Sequence, residues 1–260
     1  MMILIFTSEY RQLFNLIFEY TSDMIYNTRG IVFKTIKYSE TSVVSKIYTE
    51  RFGLRSYIVN GVRSAKSKTK ASVLQSLSLV EMEIYHHEHR SLNRIREIHS
   101  AFVAARIPFD VLRGSVGLFM IEVLNKSIRE EESNAPLFRY IFEKIKSLDE
   151  VQKVPPLFLI HFLLELSVHL GFQPHGHFSE EAPHFDLKEG LFIPRKGTNP
   201  YALDESVSAD LSLLLEKKSP DLPARSRKLL LEALLHYYQL HVPNFSRPKS
   251  LRVIEEVFRA

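Results

Sequence analysis

Arg63, Lys66, Lys68 and Lys70 stand within the stretch VNGVRSAKSKTK at 59–70, where no acidic residue interrupts them and the spacers are Ser64, Ala65, Ser67 and Thr69. Closely set cations of this kind suit the neutralisation of phosphates along a nucleic-acid backbone. Gly61 at the start of the run suits a hinge. The same chemistry recurs upstream. Residues two apart share a face of a strand, which sets Lys46 beside Tyr48 and Arg55 beside Tyr57. Lys34, Lys37 and Tyr38 extend the series along the preceding strand-like run. Cations that hold phosphates beside rings that stack on bases are what a single-stranded nucleic acid requires of a binding face. The competing assignment buries the tyrosines in a core and leaves the lysines and arginines as solvated charge.

The distribution of charge favours the first assignment. The whole chain carries only +4, but residues 29–70 hold ten basic residues against Glu40 and Glu50, a net +8 that leaves the remainder of the chain acidic. Charge concentrated in this way creates a local field that a polyanion experiences. Composition is that of a globular protein, 45% hydrophobic and 25% charged over 260 residues. With no cysteine there is neither a disulfide nor a thiolate metal site, and no apolar run reaches the length of a membrane span.

Other chemistry is less well supported. His175, His177 and His184, with Asp186 nearby, offer imidazole and carboxylate ligands of the type zinc accepts, but no pair has helical i, i+4 spacing. The HExxH pattern is absent, and His161 and His169 lie on an apolar run as core histidines do. There is no phosphate-binding glycine loop and no nucleophile elbow. The acidic runs REEES at 129–133 and SEEAP at 179–183 read as solvated loop or helix-end residues. Catalysis, cofactors and a bound metal are not expected. Arg225, Arg227 and Lys228 open a helix-like segment, where cations oppose the helix dipole; this points to a phosphate or protein partner, or to a helix start exposed to water.

The elements that must position these residues change character along the chain. Residues 24–105 hold short β-like runs: RGIVFKTIKY, SVVSKIYTE, FGLRSYIVNGV, the strictly alternating SLVEMEIYHH, and LNRIREIHSAFV, whose Leu92, Ile95 and Ile98 fit a helix as well as a strand. Five short strands with local connections suggest a small barrel. From Pro108 the period becomes helical. DVLRGSVGLFMIEVLNKSI sets Val111, Leu112, Val116, Phe119, Val123 and Leu124 on one stripe, and PPLFLIHFLLELSVHLG is apolar enough for a central helix. Three further helical segments follow an irregular stretch at 171–203. The expected organisation is therefore a barrel over 24–105 and a helical domain over 106–260. Residues 1–23 are expected to be an appendage upstream of a functional start at Met24, the alternative being an amphipathic helix over roughly 8–20.

Taken in order, the stretches Tyr38-Ser39-Glu40-Thr41-Ser42, Thr49-Glu50-Arg51-Phe52-Gly53 and Asn60-Gly61-Val62-Arg63, then LLELSVHLGFQPH, then SRKLLLEALLHYYQLHVPNFSRPKSLRVIEEV, resemble the bacterial recombinational repair mediator family RecO over residues 24–257. The resemblance implies an α+β multidomain protein: an N-terminal OB-fold β-barrel that binds DNA, followed by an α-helical domain. It implies binding of single- and double-stranded DNA, annealing of complementary strands, contacts with RecR and the C-terminal tail of SSB, functional links to RecA and RecF, help in loading RecA on SSB-coated strands, and a cytoplasmic, nucleoid-associated location. Many members carry a four-cysteine zinc module after a GFxP stretch; here 172–194 has no cysteine, and HFDLKEGLF is expected to form a plain β-turn excursion. The alternative function is a protein-docking scaffold whose basic barrel binds acidic partner tails rather than DNA.

Overall fold

The computed structural model describes residues 25–62, 71–87, 90–129, 131–218 and 220–257. The expected N-terminal helix and the basic loop with Arg63, Lys66, Lys68 and Lys70 lie outside the described residues. The chain divides into two compact units: one holds the residues up to Val103 with a segment ending at Phe138, and the other holds Ala104–Arg129 and everything from Arg139 onward.

In the first unit, β1 (Ile25–Lys37), β2 (Val43–Thr49), β3 (Gly53–Val59), β4 (Leu79–Tyr85) and β5 (Leu92–Phe102) close into a barrel in the order β1-β2-β3-β5-β4. All pairings are antiparallel except β3 with β5. Alternation places Val32, Ile47, Tyr57, Val59, Val80, Met82, Ile84, Ile95 and Ile98 inside. The ambiguity of LNRIREIHSAFV is resolved as a strand with a bulge. Ile84 pairs with Ile95 and Met82 with Ile98, so two residues along β4 match three along β5. The extra residue produces helix-like spacing on an extended chain. Leu92, expected beside them, is only half-buried, and Asn93 turns inward instead. Gly30 is required by close approach: a Cβ there would sit 2.6 Å from Cγ2 of Ile47 in the core.

Outside this core, Ile31, Phe33, Tyr48 and Leu54 are also buried. The Tyr48 ring lies 5.9 Å from Phe33 and 6.0 Å from Phe138, which belongs to the segment of the first unit that returns after Arg129.

The second unit is helical: α1 (Val111–Ser127), the later turns of α2 (Ala135–Glu150), α3 (Phe158–His169), α4 (Glu205–Leu215), α5 (Ala224–His241) and α6 (Leu251–Val257), with a hairpin of β6 (His184–Asp186) and β7 (Leu191–Ile193). The expected stripe on α1 is too narrow. Burial runs around the helix through Arg113, Ser115, Val116, Gly117, Phe119, Met120, Ile121, Val123 and Leu124, whereas Val111 in the first turn is 73% exposed. α3 is the expected apolar helix and ends at Gly171, whose φ of +80° lets the Gly171 and Phe172 N–H groups turn back onto Val168 and Ser167 carbonyls. The hairpin packs through Phe185 and Gly190 beside Tyr237, whose hydroxyl donates to the Phe172 carbonyl at 2.6 Å.

Asp149 fixes the entry to α1. Its Oδ1 accepts from the N–H groups of Arg106 (2.8 Å) and Ile107 (2.7 Å), and its Oδ2 from that of Ala105 (2.8 Å). Burial pushes the carboxyl's pKa up, but the N–H donors of Ile107, Ala105 and Arg106, with the Arg106 charge, outweigh that and hold it below the usual carboxylate range. A depressed folded-state pKa means that this stabilisation is fully present above the unfolded aspartate pKa and is lost as pH falls through the folded value. Asp149→Asn turns an amide N–H₂ toward a backbone donor and costs about 1–3 kcal/mol near neutrality. Urea unfolding at several pH values checks this, and the gap to the native chain narrows on acidification.

Candidate nucleic-acid interface

The barrel's register sorts the candidate residues. Bending at the bulge between Val32 and Lys34 keeps Val32 opposite Ile47 and sets Lys34 directly opposite Lys46. Val32 and Ile47 are in the core, so Lys34 and Lys46 point outward, side by side. Like charges directly opposite across a strand pair are destabilising in water.

A second outward row lies next to this pair. Ile36 is opposite Val44, Val44 opposite Ile58, Ile58 opposite Arg94, and Arg94 opposite Tyr85. Ile36 is 50% exposed, Arg94 is exposed, and Val44, Ile58 and Tyr85 are half-buried. Cations therefore flank a partly wet apolar strip that crosses β1, β2, β3 and β5. This is the kind of barrel wall on which OB-type domains bind oligonucleotides.

The turn between β1 and β2 borders the wall. Lys37 ends β1 exposed, and Tyr38, 62% exposed, opens the turn by donating its N–H to the Ser42 carbonyl at 3.0 Å. Ser42 Oγ donates to Asn60 Oδ1 at 3.1 Å, which ties this turn to the point where the chain leaves β3. Gly61 follows with φ of +72°, a conformation that favours glycine. On the other wall of the barrel, β4 and β5 present Glu81, Glu83 and Glu97, with Arg96 paired to Glu83 at 3.2 Å. The barrel is thus basic on one side and acid-rich on the other.

Three candidates are corrected. Tyr57 faces the barrel interior and is fully buried, which pushes its hydroxyl well above the usual phenol range. Tyr48 does share the outward face with Lys46, but Phe33 and Phe138 cover it and 1% of it is exposed. Neither ring has a face for a base. Arg55 shares the inward register of Ile47, and its guanidinium pairs with the Glu131 carboxylate. Sequence reasoning missed Arg94, Ile36, Val44, Ile58 and Tyr85. Their one signal was outward alternation, and Arg94 joins the wall only through the parallel pairing of β3 with β5, which no local pattern reveals.

The histidines are dispersed. His175 and His177 are exposed, and His184 Nδ1 lies 2.9 Å from the Leu203 carbonyl. Asp186 instead accepts from the Lys188 and Glu189 N–H groups and from Asn199 Nδ2. Among the described residues no three potential ligands gather around a metal position, and no helix is long and apolar enough to cross a membrane.

In the second unit, an apolar cavity of about 220 Å³ is lined by Val116, Pro155, Phe158, Leu159, Leu231 and Leu251. Arg227, Lys228 and Glu232 also line it, which gives the basic start of α5 a place beside apolar surface.

A five-stranded OB-type barrel followed by a helical unit defines an α+β multidomain protein. The family models "Recombination protein O N terminal" and "Recombination protein O C terminal" match residues 24–102 and 108–252. The chain is 34% identical over 237 residues to a DNA repair protein RecO of Flavobacterium psychrophilum, covering 89% of this chain and 98% of the relative. It is 32% identical over 240 residues to that of Phocaeicola vulgatus, and 33% identical over 244 residues to that of Christiangramia forsetii, in both cases covering 90% of this chain and 100% of the relative. The chain belongs to the RecO family of DNA repair proteins.

Proposed function

We propose that the chain is a non-catalytic, DNA-binding and strand-annealing recombination mediator that helps load RecA on SSB-coated single strands. The observation that carries this reading is the outward pair Lys34 and Lys46, set opposite each other beside the apolar row that ends in Arg94 and Tyr85. Lys34 and Lys46 offer two cations to the phosphates, while the apolar row and Tyr38 accommodate unstacked bases. Neutralising two strands on one surface lowers their mutual repulsion and lets complementary bases meet. Arg63, Lys66, Lys68 and Lys70, the next cations in the sequence after β3, are assigned to further phosphate contacts. We assign DNA, single- and double-stranded, to residues 24–105 and partner docking to 106–260.

The partners are RecR and the C-terminal tail of SSB, with functional links to RecA and RecF, in a cytoplasmic, nucleoid-associated setting. An acidic tail that carries an apolar side chain suits the cavity bordered by Arg227 and Lys228. Annealing is the direct test. The protein accelerates duplex formation between two complementary labelled oligonucleotides, and Lys34→Ala with Lys46→Ala removes most of that acceleration. A double variant that anneals like the native chain overturns the assignment of the site.

A further inference from the structure

Arg55 is the candidate cation that the outward wall does not use. Its side chain is 13% exposed, yet Glu131, which answers its charge, keeps 66% of its own side chain in solvent. The contact has a defined form. Arg55 Nη1 donates to the Glu131 carboxylate, Nη2 donates to the Glu131 carbonyl at 2.9 Å, and Nε donates to the Phe52 carbonyl at 3.2 Å. One residue thus supplies two acceptors to one guanidinium fork, as two oxygens of a phosphodiester do. Glu131 belongs to the acidic run REEES at 129–133.

The surroundings fit the same ligand. Arg51 is exposed at the neighbouring turn, its guanidinium 5.1 Å from the centre of the Tyr26 ring and 5.7 Å from that of Phe52. A cation lying over rings, beside a second cation neutralised by an acidic strand of chain, has the chemistry of a single-stranded nucleic-acid subsite. The acidic segment is anchored independently of Arg55: Ser133 Oγ donates to the Glu50 carbonyl at 2.8 Å, and Phe138 packs on Tyr48. Displacing the Glu131 side chain therefore leaves those anchors in place.

We propose that Glu131 is an internal anion that masks a phosphodiester site built on Arg55 with Arg51 beside it, so that single-stranded DNA gains this contact only by displacing Glu131. The proposal rests on the reading of the barrel as a DNA-binding surface. Its test is titration of a fluorescein-labelled oligothymidylate with the full chain at several salt concentrations. Glu131→Ala steepens the dependence of log affinity on log salt by about 0.7 and tightens binding about fivefold at 0.1 M salt, the effect of one added phosphate contact. Arg55→Ala with Glu131→Ala returns to the native slope, because the guanidinium that would take the added phosphate is gone. Glu132→Ala, which removes the same charge one residue along, leaves the slope unchanged.

The proposal is overturned if Glu131→Ala keeps the native slope, if its gain survives in the double variant, or if Glu132→Ala gains as much. Should Glu131→Ala fail to fold, Glu131→Gln retains an acceptor for the guanidinium without the charge, and the same slopes decide. A native chain with no salt-dependent binding overturns the DNA reading itself, whereas a native chain that binds beside an unresponsive Glu131 variant overturns only the masking.

Discussion

Replacing Lys34 and Lys46 together by glutamate lowers affinity for a single-stranded oligonucleotide by at least about 25-fold at 0.1 M salt and flattens the salt dependence by about 1.4 log units per log unit. Two lost phosphate contacts set that figure, and the introduced negative charges add repulsion. The two side chains lie opposite each other on the outward face, and neither contributes to the barrel core. The variant is therefore expected to remain folded, since no core side chain is removed. Binding at several salt concentrations and a urea unfolding curve separate the two effects. Unchanged affinity in a folded variant contradicts the assignment of this wall.

Tyr57→Ala has the opposite signature. The ring is fully buried among the interior residues of the barrel, so truncation leaves a cavity and costs about 3–5 kcal/mol. Any loss of DNA binding then follows unfolding rather than a missing stacking partner. Tyr38→Ala provides the contrast within the same measurement. Its ring is 62% exposed at the β1–β2 turn, so stability is retained while affinity falls by about 1 kcal/mol or more, the scale of one base stacked on a ring. A Tyr57→Ala chain that unfolds at the native urea midpoint contradicts the core assignment.

These two tyrosines show how far the sequence reaches. Alternation alone separated the two faces of β4 correctly, because Val80, Met82 and Ile84 are apolar while Glu81 and Glu83 are not. It could not separate Tyr48 or Tyr57 from a binding surface, since a tyrosine suits either environment. Tyr57 is interior through closure of the barrel. Tyr48 is outward but covered by Phe138, ninety residues further along the chain. Both causes are long-range, and residue spacing within one strand carries no trace of them.

The same limit applies to the cations. Lys46 was legible because it alternates with the interior Ile47 on β2, whereas Lys34 points outward only through the bulge after Val32, and Lys37 is exposed at the end of β1 although it pairs with the interior Val43. Arg94 required the parallel pairing of β3 with β5, and the loss of Arg55 to Glu131 required the return of a segment seventy-six residues away. In the helical unit, the cations at the start of α5 pointed to a phosphate or protein partner or to a helix start exposed to water, and only packing reveals the apolar cavity beside Arg227 and Lys228. The bulge in β5 is a further case: it converts a strand into a pattern that a helix shares, and the pairing with β4 is what decides.

The most direct measurement is the affinity of the native chain for single-stranded DNA as a function of salt. With Lys34, Lys46 and Arg94 each neutralising a phosphate, log affinity falls by at least about 2 per log unit of salt, and more where the loop cations join them. A slope near zero, or no binding at low salt, contradicts the account.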